Sequence, residues 1–275
     1  LLKPSWKVPK GVALISLRER EAGRVWVVGH RGAEALAPEN TWASLKAGHE
    51  AGADLLEVDV QLTSDGEIIL FHDYTLQPKF GDPRWVRDMP WTELRELDVG
   101  RWFGPRFEGE RIPHFADVLA WARDRVALWV DLKHGFVGPD DDRLEKTALE
   151  MIVESGMVDQ VVVSSWDQVA LSRIRAFDPG IPLAVNLRPR VPDPVGQVRP
   201  TGASWVAVWW PQVDRQTVAQ LQAAGLRVCL VNLFTADYAD ALCLGVDAVT
   251  AEDPSAARAA LAARREGQEH GTIHG

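Results

Sequence analysis

Seven side chains in the first half of the chain carry most of the chemistry available to it. His30 and Arg31 follow the apolar run VWVV, and Glu57 and Asp59 stand two apart in DLLEVDV. His72 closes IILFH, and Asp131 and Lys133 stand two apart at the end of ALWVDLK. Alternate residues of a strand share a face, so each i, i+2 pair points one way. Gathered at one mouth, these would be three carboxylates, two imidazoles, a guanidinium and an ammonium. Three carboxylates between apolar walls repel one another unless a cation or a proton neutralises them. An all-oxygen donor set without thiolate suits Mg²⁺ or Ca²⁺ better than Zn²⁺. Either carboxylate pair alone reads more simply as a salt-bridge network with Arg31 and Lys133; the whole set points to a metal. Two histidines beside such a site suit acid–base work near neutral pH, one deprotonating a nucleophile and the other protonating a leaving group. Arg31 and Lys133 supply positive charge for a phosphate, and arginine can grip one with two bonds. Together these groups describe phosphodiester chemistry better than carbonyl or hydride chemistry.

These residues converge only if the chain brings strand ends together. Eight short apolar segments are predicted as strands, at 25–28, 54–60, 127–132, 160–165, 182–187, 204–210, 227–232 and 245–250. Stretches with helical periodicity separate them, and Gly52, Gly156, Gly225 and Gly245 stand where helices should end. Alternating strands and helices imply a parallel sheet, and eight units close into a (β/α)₈ TIM-like barrel of one domain, with the site at the C-terminal strand ends. IILFH follows QLT too closely for a parallel crossover. The Asp65-Gly66 pair therefore predicts a rim hairpin returning antiparallel on the second strand. A two-residue turn there would set His72 opposite Asp59, facing the same way as Glu57 and Asp59. The long connection 74–112 carries Trp85, Trp91, Trp102 and Phe103. Two readings stand open for it: a functional lid, or a flap packed on its own aromatic cluster. The tail from about 266 to 275 is expected to fray.

With 275 residues, 46% of them hydrophobic, the chain can bury a large core. A net charge of −9 argues against general attraction to nucleic acid or anionic membranes. Any anionic substrate must then meet a positive field made locally. Cys229 and Cys243 make no disulfide framework and read as reduced core residues, which suits the cytoplasm. No apolar run approaches the roughly 20 residues of a membrane span. The start, LLKPSWKVPKG, has neither an initiator Met nor a signal-peptide cleavage pattern, and leaves a removed presequence open.

HRGAEALAPENTWAS, LLEVDVQLTSDGEIILFHD, WVDLK, VVVSSW and GVDAVT resemble, in order and spacing, the glycerophosphodiester phosphodiesterases, over about residues 25–254. The resemblance implies a distorted TIM barrel and metal-dependent hydrolysis of glycerophosphodiesters to glycerol 3-phosphate and an alcohol. By position it implies His30 as general base and His72 as general acid. Glu57, Asp59 and Asp131 would hold one divalent cation, Mg²⁺ or Ca²⁺, and Arg31 and Lys133 the phosphate. It further implies attack by the substrate's own glycerol hydroxyl, giving a cyclic phosphate that water opens.

Around this set, Asn40-Thr41 reads as a helix cap, Asp73 as a residue that orders its loop, and His134 as structural. Trp166, Trp209 and Trp210 stand at strand ends, where they could wall an alcohol or attract a quaternary ammonium. Adjacent strand residues face opposite sides, so at least one of Trp209 and Trp210 is expected in packing instead. Three features depart from the family pattern: Asp131 stands for the usual Glu, Cys229-Leu230-Val231-Asn232 for Trp-Thr-Val-Asn, and Thr250-Ala251-Glu252-Asp253-Pro254 for a shorter turn. The second departure would open a wall of the substrate pocket. The partner expected is a small glycerophosphodiester, with no nucleic acid and no stable membrane insertion. Competing readings are a lysophospholipase D-type or sphingomyelinase D-like enzyme, and a non-catalytic phosphate- or phospholipid-binding barrel. A lipid-binding lid would expose the aromatics of 74–112, and a small-substrate cap would bury them.

Overall fold

The computed structural model describes residue 17 and residues 23–133, 141–188 and 191–271, with side chains through residue 266 of the last helix. His134 and the extreme N- and C-terminal residues lie outside the described residues. In chain order the main elements are β1 (Trp26–Gly29), α1 (Trp42–Glu50), β2 (Leu55–Leu62), β3 (Ile68–Leu70), α2 (Gln77–Phe80) and α3 (Trp91–Leu94). They continue with α4 (Phe115–Ala122), β4 (Ala127–Leu132), α5 (Arg143–Glu154), β5 (Val161–Ser165), α6 (Gln168–Phe177), β6 (Leu183–Asn186) and α7 (Pro194–Val198). Last come β7 (Trp205–Trp209), α8 (Arg215–Ala223), β8 (Arg227–Val231), α9 (Tyr238–Leu242), β9 (Ala248–Ala251) and α10 (Pro254–Gly271).

Every strand except β3 pairs in parallel with its barrel neighbours, and β1 closes the ring by pairing with both β2 and β9. All eight barrel strands expected from the sequence are present, with ends shifted by a few residues at most. Their side chains divide the interior into layers. One face of each strand (Val58 and Val60, Val130, Val163, Val185, Val206, Val228, Val249) packs outward against the helices. The other face fills the lower barrel with Trp26, Trp129 and Trp205 among the small residues Ala127, Ala184, Ala207 and Ala248. The Trp205 ring lies 5.4 Å from Trp26 and 5.6 Å from Trp129, plugging the barrel below the strand ends. Burial on both faces is why these strands read as nearly continuous apolar runs. Cys229 belongs to this inner packing, whereas Cys243 is exposed, which corrects its assignment to the core.

The rim hairpin forms, but in a different register. Val60 opposes Leu70 and Leu62 opposes Ile68, with Thr63 N–H donating to Glu67 O across a three-residue turn. Gly66, at φ +89°, takes the left-handed place that such a turn requires. Phe71, rather than His72, therefore comes opposite Asp59, its N–H donating to Asp59 O. Strict alternation from there would turn His72 away from the carboxylates. The strand ends at Leu70, however, and Gln61 Nε2 donates to Phe71 O at 2.7 Å and Asp73 O at 2.8 Å. This clamp holds the peptide on either side of His72 outside strand geometry.

The 74–112 connection has a core of its own: Leu76, Val86, Met89, Leu94, Val99 and Ile112 pack with Ile69 and Phe71. Trp91 packs against this core, and Trp85 stacks on Tyr74. The connection is thus a self-packed flap, in which Trp102, 43% exposed, is the large aromatic left open.

Candidate active site

The turn after β1 shows why His30-Arg31-Gly32 stands there. Arg31 has φ +48° and Gly32 φ +91°, so the chain reverses in left-handed backbone. A Cβ on Gly32 would meet the backbone carbon of Ser44 at 2.6 Å, so glycine also permits the close approach of α1. Ser44 Oγ pins the turn, donating to Arg31 O and accepting from Ala33 N–H, both at 2.7 Å. The Arg31 N–H donates in turn to Glu57 Oε2 at 2.7 Å, tying the turn to the carboxylate site.

That site follows from strand register. β2 and β4 pair so that Glu57 lies beside Trp129 and Asp59 beside Asp131; Asp131 in turn lies beside Ser164 of β5. Glu57, Asp59 and Asp131 are all buried, and each offers an oxygen within 4.8 Å of the others. Their protonation differs. Burial, then the charge of Asp59, raises Glu57 to about 8. Burial acts against Asp59 too, but Lys133, His72 and Arg31 outweigh it and hold Asp59 well below the usual carboxylate range. Asp131 is raised chiefly by burial, although Lys133 works against it. Lys133 Nζ lies 3.4 Å from Asp59 and 3.6 Å from Asp131. One ammonium and one guanidinium do not neutralise this set, and Glu57 responds by keeping a proton. A buried oxygen cluster that retains a proton for want of positive charge suits a hard divalent cation.

Each histidine has one ring nitrogen tied to a carboxylate. His30 Nδ1 meets Glu34 Oε1 at 2.5 Å, and His72 Nδ1 meets Asp73 Oδ1 at 2.9 Å. Nε2 of each ring is left for exchange with a substrate. Burial lowers the pKa of His30, but the hydrogen bond and negative charge of Glu34 prevail and raise it.

One cavity of about 310 Å³ joins these groups. His30, Arg31, Glu57, Asp59, His72, Asp131 and Lys133 all line it. Trp166 and Trp209 form one wall, edge to face with centroids 5.9 Å apart. Trp210 does not line it; it packs against the outer core, as adjacency to Trp209 requires. Cys229 is not a wall either, since it lies in the barrel interior, and Val231 and Asn232 take that side.

Several supporting residues escaped the sequence reading. Thr41 is the α1 cap, as expected, accepting from Ser44 N–H. Asn40 instead braces a carboxylate: at φ +54° it donates from Nδ2 to Asp59 Oδ2 and accepts the Asp59 N–H. Ser164 Oγ and Asn186 Nδ2 both donate to Asp131 Oδ1, at 2.8 and 2.7 Å. Glu39 receives Arg31 Nη1 at 2.8 Å. None of these contacts is legible in the sequence: the left-handed turn at Asn40 and its reach to Asp59, like the bracing of Asp131, appear only when distant segments are brought together.

Known proteins resemble this chain in sequence and in fold. A glycerophosphodiester phosphodiesterase of Caldanaerobacter subterraneus subsp. tengcongensis is 33% identical over 160 residues, covering 58% of this chain and 65% of that protein. The aligned stretch thus spans just under two thirds of that relative's length. The crystal structure of an Oleispira antarctica phosphodiesterase in complex with the product sn-glycerol-3-phosphate superposes with a TM-score of 0.79 at 25% identity, covering 86% of this chain and 96% of that one. A glycerophosphodiester phosphodiesterase structure from Agrobacterium tumefaciens gives 0.70 at 26% identity, covering 85% and 99%. The sequence model of the glycerophosphoryl diester phosphodiesterase family matches residues 30–256, from the first site histidine into the last helix, and this chain belongs to that family of phosphoric diester hydrolases.

Proposed function

We propose that the protein hydrolyses small, water-soluble glycerophosphodiesters to glycerol 3-phosphate and an alcohol. The observation carrying this reading is the pair of carboxylate-anchored histidines facing one cavity that also holds three buried carboxylates, Arg31 and Lys133. Arg31 and Lys133 would draw in the phosphate against the overall charge of −9. His30 takes the proton from the substrate's glycerol hydroxyl as its oxygen bonds to phosphorus. The bond from phosphorus to the alcohol breaks, and His72 gives its proton to the departing oxygen. A cyclic phosphate results. Water then opens it with the two histidines in reversed roles, which restores their starting protonation. Glu57, Asp59 and Asp131 would hold Mg²⁺ or Ca²⁺, which when bound neutralises charge building on the phosphoryl oxygens. The cavity of about 310 Å³ suits a small diester, and the self-packing of 74–112 favours it over a lysolipid.

Phosphorus NMR of chelator-treated protein with glycerophosphocholine, before and after adding Mg²⁺ or Ca²⁺, tests the whole reading. The expected outcome is metal-dependent glycerol 3-phosphate, preceded by a transient cyclic phosphate signal. Full turnover without metal would remove the ion from the mechanism. No turnover with either ion would sink the small-diester reading and redirect the search to lysolipids.

A further inference from the structure

Among the described residues a second cluster has ligand atoms as close as the first: Glu39, His72 and Asp73 each offer one within 4.8 Å of the others. This cluster already contains a cation. The Lys79 ammonium, carried on α2 of the flap, lies 2.5 Å from Asp73 Oδ2 and 3.0 Å from Glu39 Oε1. The other oxygens of the same carboxylates are engaged by site residues. Asp73 Oδ1 meets His72 Nδ1 at 2.9 Å, and Glu39 Oε2 accepts from Arg31 Nη1 at 2.8 Å. One ammonium thus stands where two lines of ionic hydrogen bonds join, one ending on an imidazole and the other on a guanidinium.

The placement is enclosed. The Lys79 side chain is 14% exposed, and Nζ lies 5.7 Å from the Phe71 ring centroid and 5.5 Å from that of Trp102. A cavity of about 10 Å³, room for about one water, is bounded by Glu39, His72, Lys79 and Trp102 among others. Charge-assisted bonds sheltered in this way polarise one another and fix geometry more firmly than surface pairs. Without Lys79, two carboxylates beside His72 would repel each other.

We propose that Lys79 is a positioning residue of the phosphodiesterase reaction: from the flap, it holds Asp73 against His72 and Glu39 against Arg31. The proposal rests on the function proposed above, and it gives the flap a catalytic purpose other than binding lipid. The bland alternative is a staple that merely fastens the flap to the barrel.

Lys79→Met and Lys79→Arg, beside wild type, separate the two with a pair of substrates. Glycerophosphocholine has a poor leaving group and needs the acid; the p-nitrophenyl ester of glycerol 3-phosphate has a good one and does not. For the methionine variant the expected result is a loss of about 10- to 100-fold in kcat on glycerophosphocholine, the range for outer hydrogen-bond partners. The loss on the nitrophenyl ester should be much smaller, and arginine should restore most of the first. A rise in KM common to both esters is the outcome expected of the Glu39–Arg31 arm; equal losses in kcat on both, or wild-type kcat on glycerophosphocholine, would overturn the proposal. A readout independent of turnover is the His72 Nδ1 proton in ¹⁵N-histidine-labelled protein, assigned with His72→Asn. It should be protected from exchange in wild type and lose that protection in Lys79→Met. Unchanged protection would again overturn the proposal. Wild type inactive on both esters would count against the proposed function, while the proton signal would still judge Lys79.

Discussion

A proton on Glu57 stands in the way of a cation at the three carboxylates. Burial and Asp59 raise this group from 4.5 to about 8, so near neutral pH it is mostly protonated until a cation displaces the proton. A raised carboxyl contributes stability that is complete below its unfolded value and lost as pH rises through the folded one. Chelator-treated protein should therefore melt at progressively lower temperature from about pH 5 to pH 9. Mg²⁺ or Ca²⁺ should reduce that decline, and Glu57→Gln should flatten it. Calorimetry in two buffers of different ionisation enthalpy should also register proton release when the ion binds near pH 7. A melting profile that ignores both pH and ion would mean that Glu57 is not a ligand. For the histidines, His30→Ala and His72→Ala should each cost about 10²- to 10⁴-fold in kcat. Affinity for glycerol 3-phosphate should persist through Arg31 and Lys133. Loss of both together would mark a structural role.

Among the elements, the rim hairpin is where local reading and outcome parted. Asp65-Gly66 was expected to make a two-residue turn, and the three-residue turn observed moves every cross-strand pair by one. His72 nevertheless reaches the cavity, because the chain leaves the strand and Gln61 holds the carbonyls of Phe71 and Asp73. Gln61→Leu would leave those two carbonyls without that donor, at a cost of about 1–3 kcal/mol. It should lower kcat by more than it raises KM, since His72 loses its placement while Arg31 and Lys133 keep theirs. Urea denaturation with steady-state kinetics checks both parts. An unchanged kcat would show that His72 is positioned by something else.

The molecule as a whole separates stability from chemistry along the barrel axis. The tryptophans at 26, 129 and 205 fill the lower interior, and the polar residues of the site stand above them at the strand ends. This is the division expected of TIM barrels, whose C-terminal face carries function. Trp205 is fully buried and carries the Arg227 guanidinium 4.4 Å from its ring. Trp205→Ala should destabilise the protein by about 3–5 kcal/mol with little change in KM, measured by denaturant unfolding and initial rates. A large KM change with unaltered stability would mean that the plug belongs to the substrate pocket.

The barrel and six of its seven principal site residues could be read from the sequence because they depend on short-range rules; His72 reaches the cavity through the Gln61 clamp instead of the expected register. Strand alternation pairs Glu57 with Asp59 and Asp131 with Lys133, and alternating strands and helices bring the strand ends to one rim. The amino-acid order also separated Trp209 from Trp210. Whatever depended on contacts between distant segments was invisible: the hairpin register, the bracing of Asp131 by Ser164 and Asn186, and the exposure of Cys243. The same holds for Asn40, read as part of a cap until its side chain is seen on Asp59. Lys79 is the extreme case. Nothing in QPKFG distinguishes it from a surface lysine, and only folding the flap onto the rim sets its ammonium between Glu39 and Asp73. A backbone pattern determines which face a residue occupies, but an ionic partner is chosen by packing in three dimensions.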